Sequence, residues 1–168
     1  MRILGIDPGT EKIGWAVLEA GKPTKEYPNG FRLVKADLIK TPAKQQLAIR
    51  LRKIFEEVCG IIKTYRPDVM AVEKLFFCKN QKTAMDVGQA RGVVLLAATI
   101  SHLRVAEYTP MQVKMALTGY GKADKKQVQK MIQYILGQKN RITQDDTADA
   151  VAVAMCHHDL GLTRQSQK

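Results

Sequence analysis

Two short apolar runs, each closed by an acid, constrain this chain most: Arg2-Ile3-Leu4-Gly5-Ile6-Asp7 and Val69-Met70-Ala71-Val72-Glu73. Runs of this length bounded by turn residues read as buried strands. A carboxylate at the end of such a strand needs compensation, because taking it out of water is costly. Pro8-Gly9 ends the first run in a turn. Ile13 to Glu19 and Arg32 to Ile39 read as the next two strands, broken by Gly21-Lys22-Pro23. Their closeness in sequence makes an antiparallel meander the economical topology.

A helix follows, with Leu47, Leu51, Ile54, Phe55, Val58, Ile61, Ile62 and Tyr65 at three- and four-residue spacing. Arg66-Pro67-Asp68 ends it, and the helix–strand order before Val69 suits parallel pairing. Thr83 to Ser101 reads as a second helix and Arg104 to Tyr108 as a fifth strand. Pro110 opens a short helix to Leu117. Lys125 to Leu136 is another, and Asp146 to His157 an alanine-rich last one. The expectation is an α/β fold: a mixed sheet of about five strands, the first three antiparallel, flanked by helices. Residues 1–160 form one domain in this reading, and 161–168 a flexible C-terminal tail. Asn140 to Gln144 reads as a polar loop.

Lys plus Arg outnumber Asp plus Glu by 27 to 16, a formal net charge of +11. Such a surplus attracts polyanions, either nucleic acid or an anionic membrane surface. The longest apolar run, Val93 to Ile100, is too short to cross a bilayer. Three cysteines, Cys59, Cys78 and Cys156, are odd in number and lack C-x-x-C spacing, so a disulfide framework is not expected and a reducing, cytoplasmic setting fits. Cys156-His157-His158 reads as a helix C-terminus rather than a metal set.

The acids carry the chemistry. Asp7 and Glu73 close strands, and Asp146 and Asp149, three apart, share a face of an otherwise apolar helix. Each has a plain alternative: a turn-forming Asp before Pro-Gly, a surface acid beside Lys74, a first-turn helix acid. Asp149 sits too deep for the last of these. Phosphodiester hydrolysis needs an activated water and neutralisation of the leaving oxygen, which two Mg²⁺ ions roughly 3.5–4 Å apart supply. Mg²⁺ takes carboxylate oxygens, and Asp7, Glu73, Asp146 and Asp149 match that demand. Mn²⁺ is expected to substitute.

From Met111 to Lys130 stand Lys114, Lys122, Lys125, Lys126 and Lys130 against one acid, Asp124, around Gly119-Tyr120-Gly121. Lysines position a DNA backbone without reading sequence, the glycines permit close approach, and Tyr120 stacks or packs. Of Phe76 and Phe77, one is expected in the core. Phe76 is chosen as the one that meets an unstacked base. Gly88 and Gly92, with Ala90, Ala97 and Ala98, form a small-residue helix face, which either packs on the protein's own sheet or meets a second copy.

The ordered segments Leu4-Gly5-Ile6-Asp7-Pro8-Gly9-Thr10, Val72 to Asn80, Gly88-Gln89-Ala90-Arg91-Gly92, Glu107-Tyr108-Thr109-Pro110, Val113-Lys114, Thr118 to Gly121, Lys125 to Met131 and Asp146-Thr147-Ala148-Asp149-Ala150 resemble the RuvC family of Holliday-junction resolvases. They span nearly the whole chain in the family's order. The resemblance implies a ribonuclease H-like fold, a homodimer, and paired symmetric nicks in strands of like polarity at a four-way DNA junction. By motif position it implies Asp7, Glu73, Asp146 and Asp149 as catalytic metal ligands. It places Phe76 near the junction crossover, Lys79 and Asn80 in a DNA-facing loop, and Lys114 and Lys125 near the phosphates. It also implies a branch-migration helicase complex of the RuvA and RuvB type as partner. The chain departs from the family in Lys74 after Glu73, in a longer segment from Ala20 to Gly30, and in the extra acid Asp145 beside Asp146.

Three other readings compete. The Gly5 to Thr10 run resembles the first phosphate loop of actin and sugar-kinase ATPases, which need a second domain. A non-catalytic relative would keep the basic surface and lose acids. A related nuclease would act on another structured substrate, such as an RNA–DNA hybrid.

Overall fold

The computed structural model describes residues 1–74, 81–137 and 145–165; the side chains of 81–83, 145–146 and 161–165 lie outside that description. The five strands are β1 (Arg2–Asp7), β2 (Lys12–Ala20), β3 (Phe31–Lys40), β4 (Val69–Glu73) and β5 (Arg104–Tyr108). The helices are α1 (Leu47–Tyr65), α2 (Gln81–Ile100), α3 (Pro110–Thr118), α4 (Lys125–Leu136) and α5 (Asp145–Gln165). Strand order is β3-β2-β1-β4-β5, with β1, β2 and β3 antiparallel and β4 parallel to both β1 and β5. The mixed α/β sheet and its antiparallel start agree with the sequence expectation.

Each face of the sheet carries its own apolar layer. On one face Leu4, Ile6, Met70 and Val72 pack against Ile54, Val58, Ile61 and Ile62 of α1 and Val94 of α2. On the other, Ile3, Val69 and Ala71 meet the alanine-rich α5, with α3 and α4 alongside. Strand alternation divides β1 between the two layers: Ile3 and Gly5 turn to α5, Leu4 and Ile6 away from it. Asp7 and Glu73 fall in the parity that turns to α5.

Gly5 makes this layer thin. A Cβ placed there would collide with the carbonyl oxygen of Ala150 and lie 2.9 Å from the Ala154 Cβ. Strand β1 and helix α5 therefore approach backbone to backbone, which requires glycine on one side and alanine on the other.

Three sequence readings need correction. Gly88 and Gly92 do not share a face with the alanines: Ala90, Ala97 and Ala98 are fully buried in the α1/α2 layer, whereas a Cβ at either glycine would meet nothing within 4 Å. Gly119 is the left-handed C-cap of α3 with φ 69°, and Gly121 lies under Met111, whose Cγ would be 2.8 Å from an added Cβ. Both glycines thus serve the local fold. Helix α5 continues past His157 to Gln165, so Cys156, His157 and His158 sit within it rather than at its end. Cys156 is buried, and the Tyr108 hydroxyl is 2.7 Å from His157 Nδ1. Burial, with Arg104 and His158 nearby, holds the His157 pKa below its ordinary value. The segment Asn140 to Gln144 lies outside the described residues.

Candidate active site

Parallel pairing of β1 with β4 sets Ile6 opposite Val72 and so ends both strands at the same edge, each with its acid. Helix α5 crosses the same face, and the Gly5–Ala150 approach brings Asp149, the neighbour of Ala150, over that edge. The result is a cavity of about 280 Å³ lined by Glu73, Asp149, Lys114 and Lys125, with Pro110, Val113, Val128 and Ala152 as its apolar wall.

Two capped helices deliver the lysines. Thr109 caps α3 in a reciprocal box with Gln112, and Pro110 takes the first helical position. Lys114 follows one turn later, at the cavity. Asp124 caps α4 in the same way with Gln127, which directs the Asp124 carboxylate onto the Gln127 N–H at 2.8 Å. Lys125, the first residue of α4, reaches across to Asp149, with Nζ 3.1 Å from Oδ2.

Burial is the main reason the Glu73 carboxyl titrates high, pushed up to about 7, and the Asp149 carboxylate adds to the effect. Lys114 and Lys125 pull the other way without cancelling it. Near neutral pH the site therefore holds a carboxyl group short of positive charge despite two lysines. Glu73 and Asp149 offer hard oxygen donors, and among the described residues neither histidine nor cysteine lines the cavity. Such a donor set fits a divalent ion of the Mg²⁺ class. Among the described residues, no three or more His, Cys, Asp and Glu side chains gather closely enough to hold an ion by themselves. The Asp146 backbone lies in the first turn of α5, and its side chain is outside that description.

Of the residues singled out in sequence, the structure brings together Glu73, Asp149, Lys114 and Lys125 and ends the Asp7 strand beside the Glu73 strand. Tyr120 is exposed and lines a separate groove with Gln127 and Lys130. Phe76, Phe77, Lys79 and Asn80 lie outside the described residues. Sequence reasoning missed Gly5, whose signal was the pair of alanines one turn apart, Ala150 and Ala154, on the facing helix. It also missed the Arg91–Glu107 ion pair, which ties α2 to β5 on the far face of the sheet.

The chain is similar to known proteins along nearly its whole length. Residues 3–157 match the family model described as crossover junction endodeoxyribonuclease RuvC. The chain is 45% identical over 157 residues to the protein of that name from Caldicellulosiruptor saccharolyticus, covering 94% of this chain and 92% of the relative. The Moorella thermoacetica protein of the same name is 48% identical over 168 residues, covering 100% and 97%. Among solved structures, Thermus thermophilus RuvC in complex with Holliday junction substrate superposes with a TM-score of 0.88 at 34% identity, covering 98% of this chain and 96% of that one.

Proposed function

This chain belongs to the RuvC family of crossover junction endodeoxyribonucleases, and from that premise we propose that it resolves four-way DNA junctions by paired, symmetric nicks in strands of like polarity. The products carry 5′-phosphate and 3′-hydroxyl ends, and the reaction serves recombination and repair in the cytoplasm. The observation that carries the reading is the meeting of Glu73 and Asp149 with Lys114 and Lys125 in one cavity at the edge where Asp7 ends its strand.

In this proposal Asp7, Glu73, Asp146 and Asp149 hold Mg²⁺, in two positions, with Mn²⁺ able to replace it. When bound, the ions supply an activated water and stabilise charge on the leaving oxygen. The chain's own residues do the rest. Lys125 holds the Asp149 carboxylate in place from α4. Lys114, half-buried at the cavity mouth, meets the phosphate adjoining the cut. The apolar wall of Val113, Val128 and Ala152 keeps the carboxylates poorly solvated, which strengthens their hold on a cation. Tyr120, in the neighbouring groove, and Lys79 and Asn80 contact the DNA, and Phe76 meets an unstacked base near the crossover.

The active form in this reading is a homodimer joined along α2. Met85, Leu96 and Ile100 are 73%, 52% and 56% exposed, and they line the outward side of that helix with Gly88 and Gly92. Large apolar side chains left in water along one stripe favour association. A branch-migration complex of the RuvA and RuvB type is the proposed larger partner. Residues 1–160 act as one catalytic domain.

The test offers the purified protein a synthetic four-way junction, a linear duplex of the same sequence and an RNA–DNA hybrid, each with Mg²⁺. Symmetric nicking of the junction in preference to both others is expected. Equal or faster cutting of the duplex or the hybrid would remove the junction assignment in favour of a related nuclease.

A further inference from the structure

Arg50 has a side chain that burial and local electrostatics both penalise. It lies in the first turn of α1, is only 7% exposed, and carries its cation at the helix end whose dipole disfavours positive charge. That turn contains no acid, and the N-cap residue Gln46 makes no side-chain cap. Its Nη2 is buried without a hydrogen-bond partner among the described residues. An apolar residue would fill the space at lower cost.

What the guanidinium does make is a relay. Its Nε donates to Thr41 Oγ1 at 3.1 Å, and the Thr41 hydroxyl donates onward to the carbonyl of Thr10. Thr41 is itself buried, and its N–H donates to the carbonyl of Glu11 at 2.9 Å. Residue 41 thus grips the turn after β1 at two successive carbonyls. The turn has little slack, since a Cβ at Gly9 would collide with the carbonyl of Lys12. Asp7 is the last residue before it.

We propose that Arg50, acting through Thr41 and the Thr10 carbonyl, is a positioning residue that fixes the direction of the Asp7 carboxylate toward the metal. This inference rests on the functional reading above. Neither Arg50 nor Thr41 touches the substrate or the ion. The guanidinium sets which way the Thr41 hydroxyl points, the hydroxyl sets the height of the turn, and the turn sets Asp7. Partners of this outer kind typically govern metal affinity or activity by about 10–100-fold.

The experiment measures Mn²⁺ binding to the protein alone, from the loss of the free-ion electron paramagnetic resonance signal, for Arg50→Met, Arg50→Lys, Thr41→Val and the Arg50→Met/Thr41→Val double variant. Junction affinity and thermal midpoints are recorded in parallel. Arg50→Met and Thr41→Val should each weaken Mn²⁺ binding about tenfold, with junction affinity held within about twofold. The double variant should be no worse than the weaker single one, because both remove the same relay. Arg50→Lys, which can still reach a hydroxyl, should recover part of the loss. If Thr41→Val and a folded Arg50→Met both bind Mn²⁺ within about twofold of wild type, the relay has no positioning role, whatever the thermal midpoints do. Additive losses in the double variant would equally overturn it. Should Arg50→Met not fold, the near-isosteric Thr41→Val decides alone. Junction cutting by the wild type and its loss in Asp7→Asn are scored separately, so failure of the relay is distinguishable from failure of the nuclease reading.

Discussion

The two faces of the sheet are both apolar, yet the candidate site lies on one of them, under α5. The α1/α2 face is packed with Ile54, Val58, Ile61, Ile62 and Val94, side chains that hold the helices off the strands. On the α5 face Ala150 and Ala154, one turn apart, lie directly over Gly5. Thick packing gives stability and keeps helix-borne groups away from the strand ends. Thin packing lets a helix carry Asp149 to the same edge as Asp7 and Glu73. The contrast teaches that the acids converge where small residues, Gly5 against Ala150 and Ala154, let the helix and strand backbones meet.

The sharpest way to break the comparison is at the acids of the thin face. Asp7→Asn should lower junction cutting by more than about 100-fold, beyond what loss of an outer partner costs, while junction binding persists; gel-shift and cleavage assays on one preparation check this. Next comes Gly5→Ala. The added methyl forces α5 away from β1, so cutting should fall about tenfold or more, and unfolding free energy by roughly 1–3 kcal/mol as for other overpacked sites. Equal effects from Gly5→Ala and from a substitution on the thick face would erase the distinction.

A change of pH probes the same face more gently. The Glu73 carboxyl is protonated below about 7, and with Glu73 as the proposed ligand, proton and metal would compete for it. At limiting Mg²⁺, cutting should therefore rise as pH climbs through 7, and the midpoint should move lower at saturating Mg²⁺. Without metal the linkage has the opposite sense. Between its ordinary 4.5 and about 7, the folded state holds the Glu73 proton that the unfolded state has released. The contribution of this group is most favourable below 4.5 and is lost as pH rises to 7. Denaturant melts in chelator at stepped pH would reveal it, most clearly as a difference between wild type and Glu73→Gln.

On the thick face the effects on cutting should be smallest. Ile54→Ala should cost about 2–5 kcal/mol of stability and leave the cutting rate of the folded fraction within about twofold. A larger loss of rate would mean that the thick face also shapes the site. On the outer side of α2, Leu96→Glu should shift sedimentation toward monomer without changing the Mn²⁺ affinity of each chain.

Strands and α1 were legible because their periodicities are undiluted: the β1 and β4 runs stop at acids, and the α1 positions repeat over five turns' worth of sequence from Leu47 to Tyr65. The acids were legible for the same reason, each breaking an apolar run. Helix α2 was misread because Gly88, Ala90, Gly92 and Ala97 look alike in size, and only packing says which point inward. Arg50 was invisible for a different reason. In sequence it stands one turn before Ile54 on the buried stripe of α1, but its charge argues for the surface, and its partner Thr41 belongs to the preceding connection. The end of α5 was misplaced because its last turns are polar, which composition reads as a tail.

The capping box at α4 reaches beyond helix stability. Asp124 is the one acid among the lysines from Lys114 to Lys130, and its carboxylate is folded back onto the Gln127 N–H. Lys122, Lys126 and Lys130 meanwhile point into solvent. With five lysines to one acid, the strip beside the cavity projects a net positive field outward, which accelerates encounter with a polyanion and fades as ionic strength shortens the screening length. A residue chosen to start a helix thereby also makes the rate of first contact with DNA sensitive to salt.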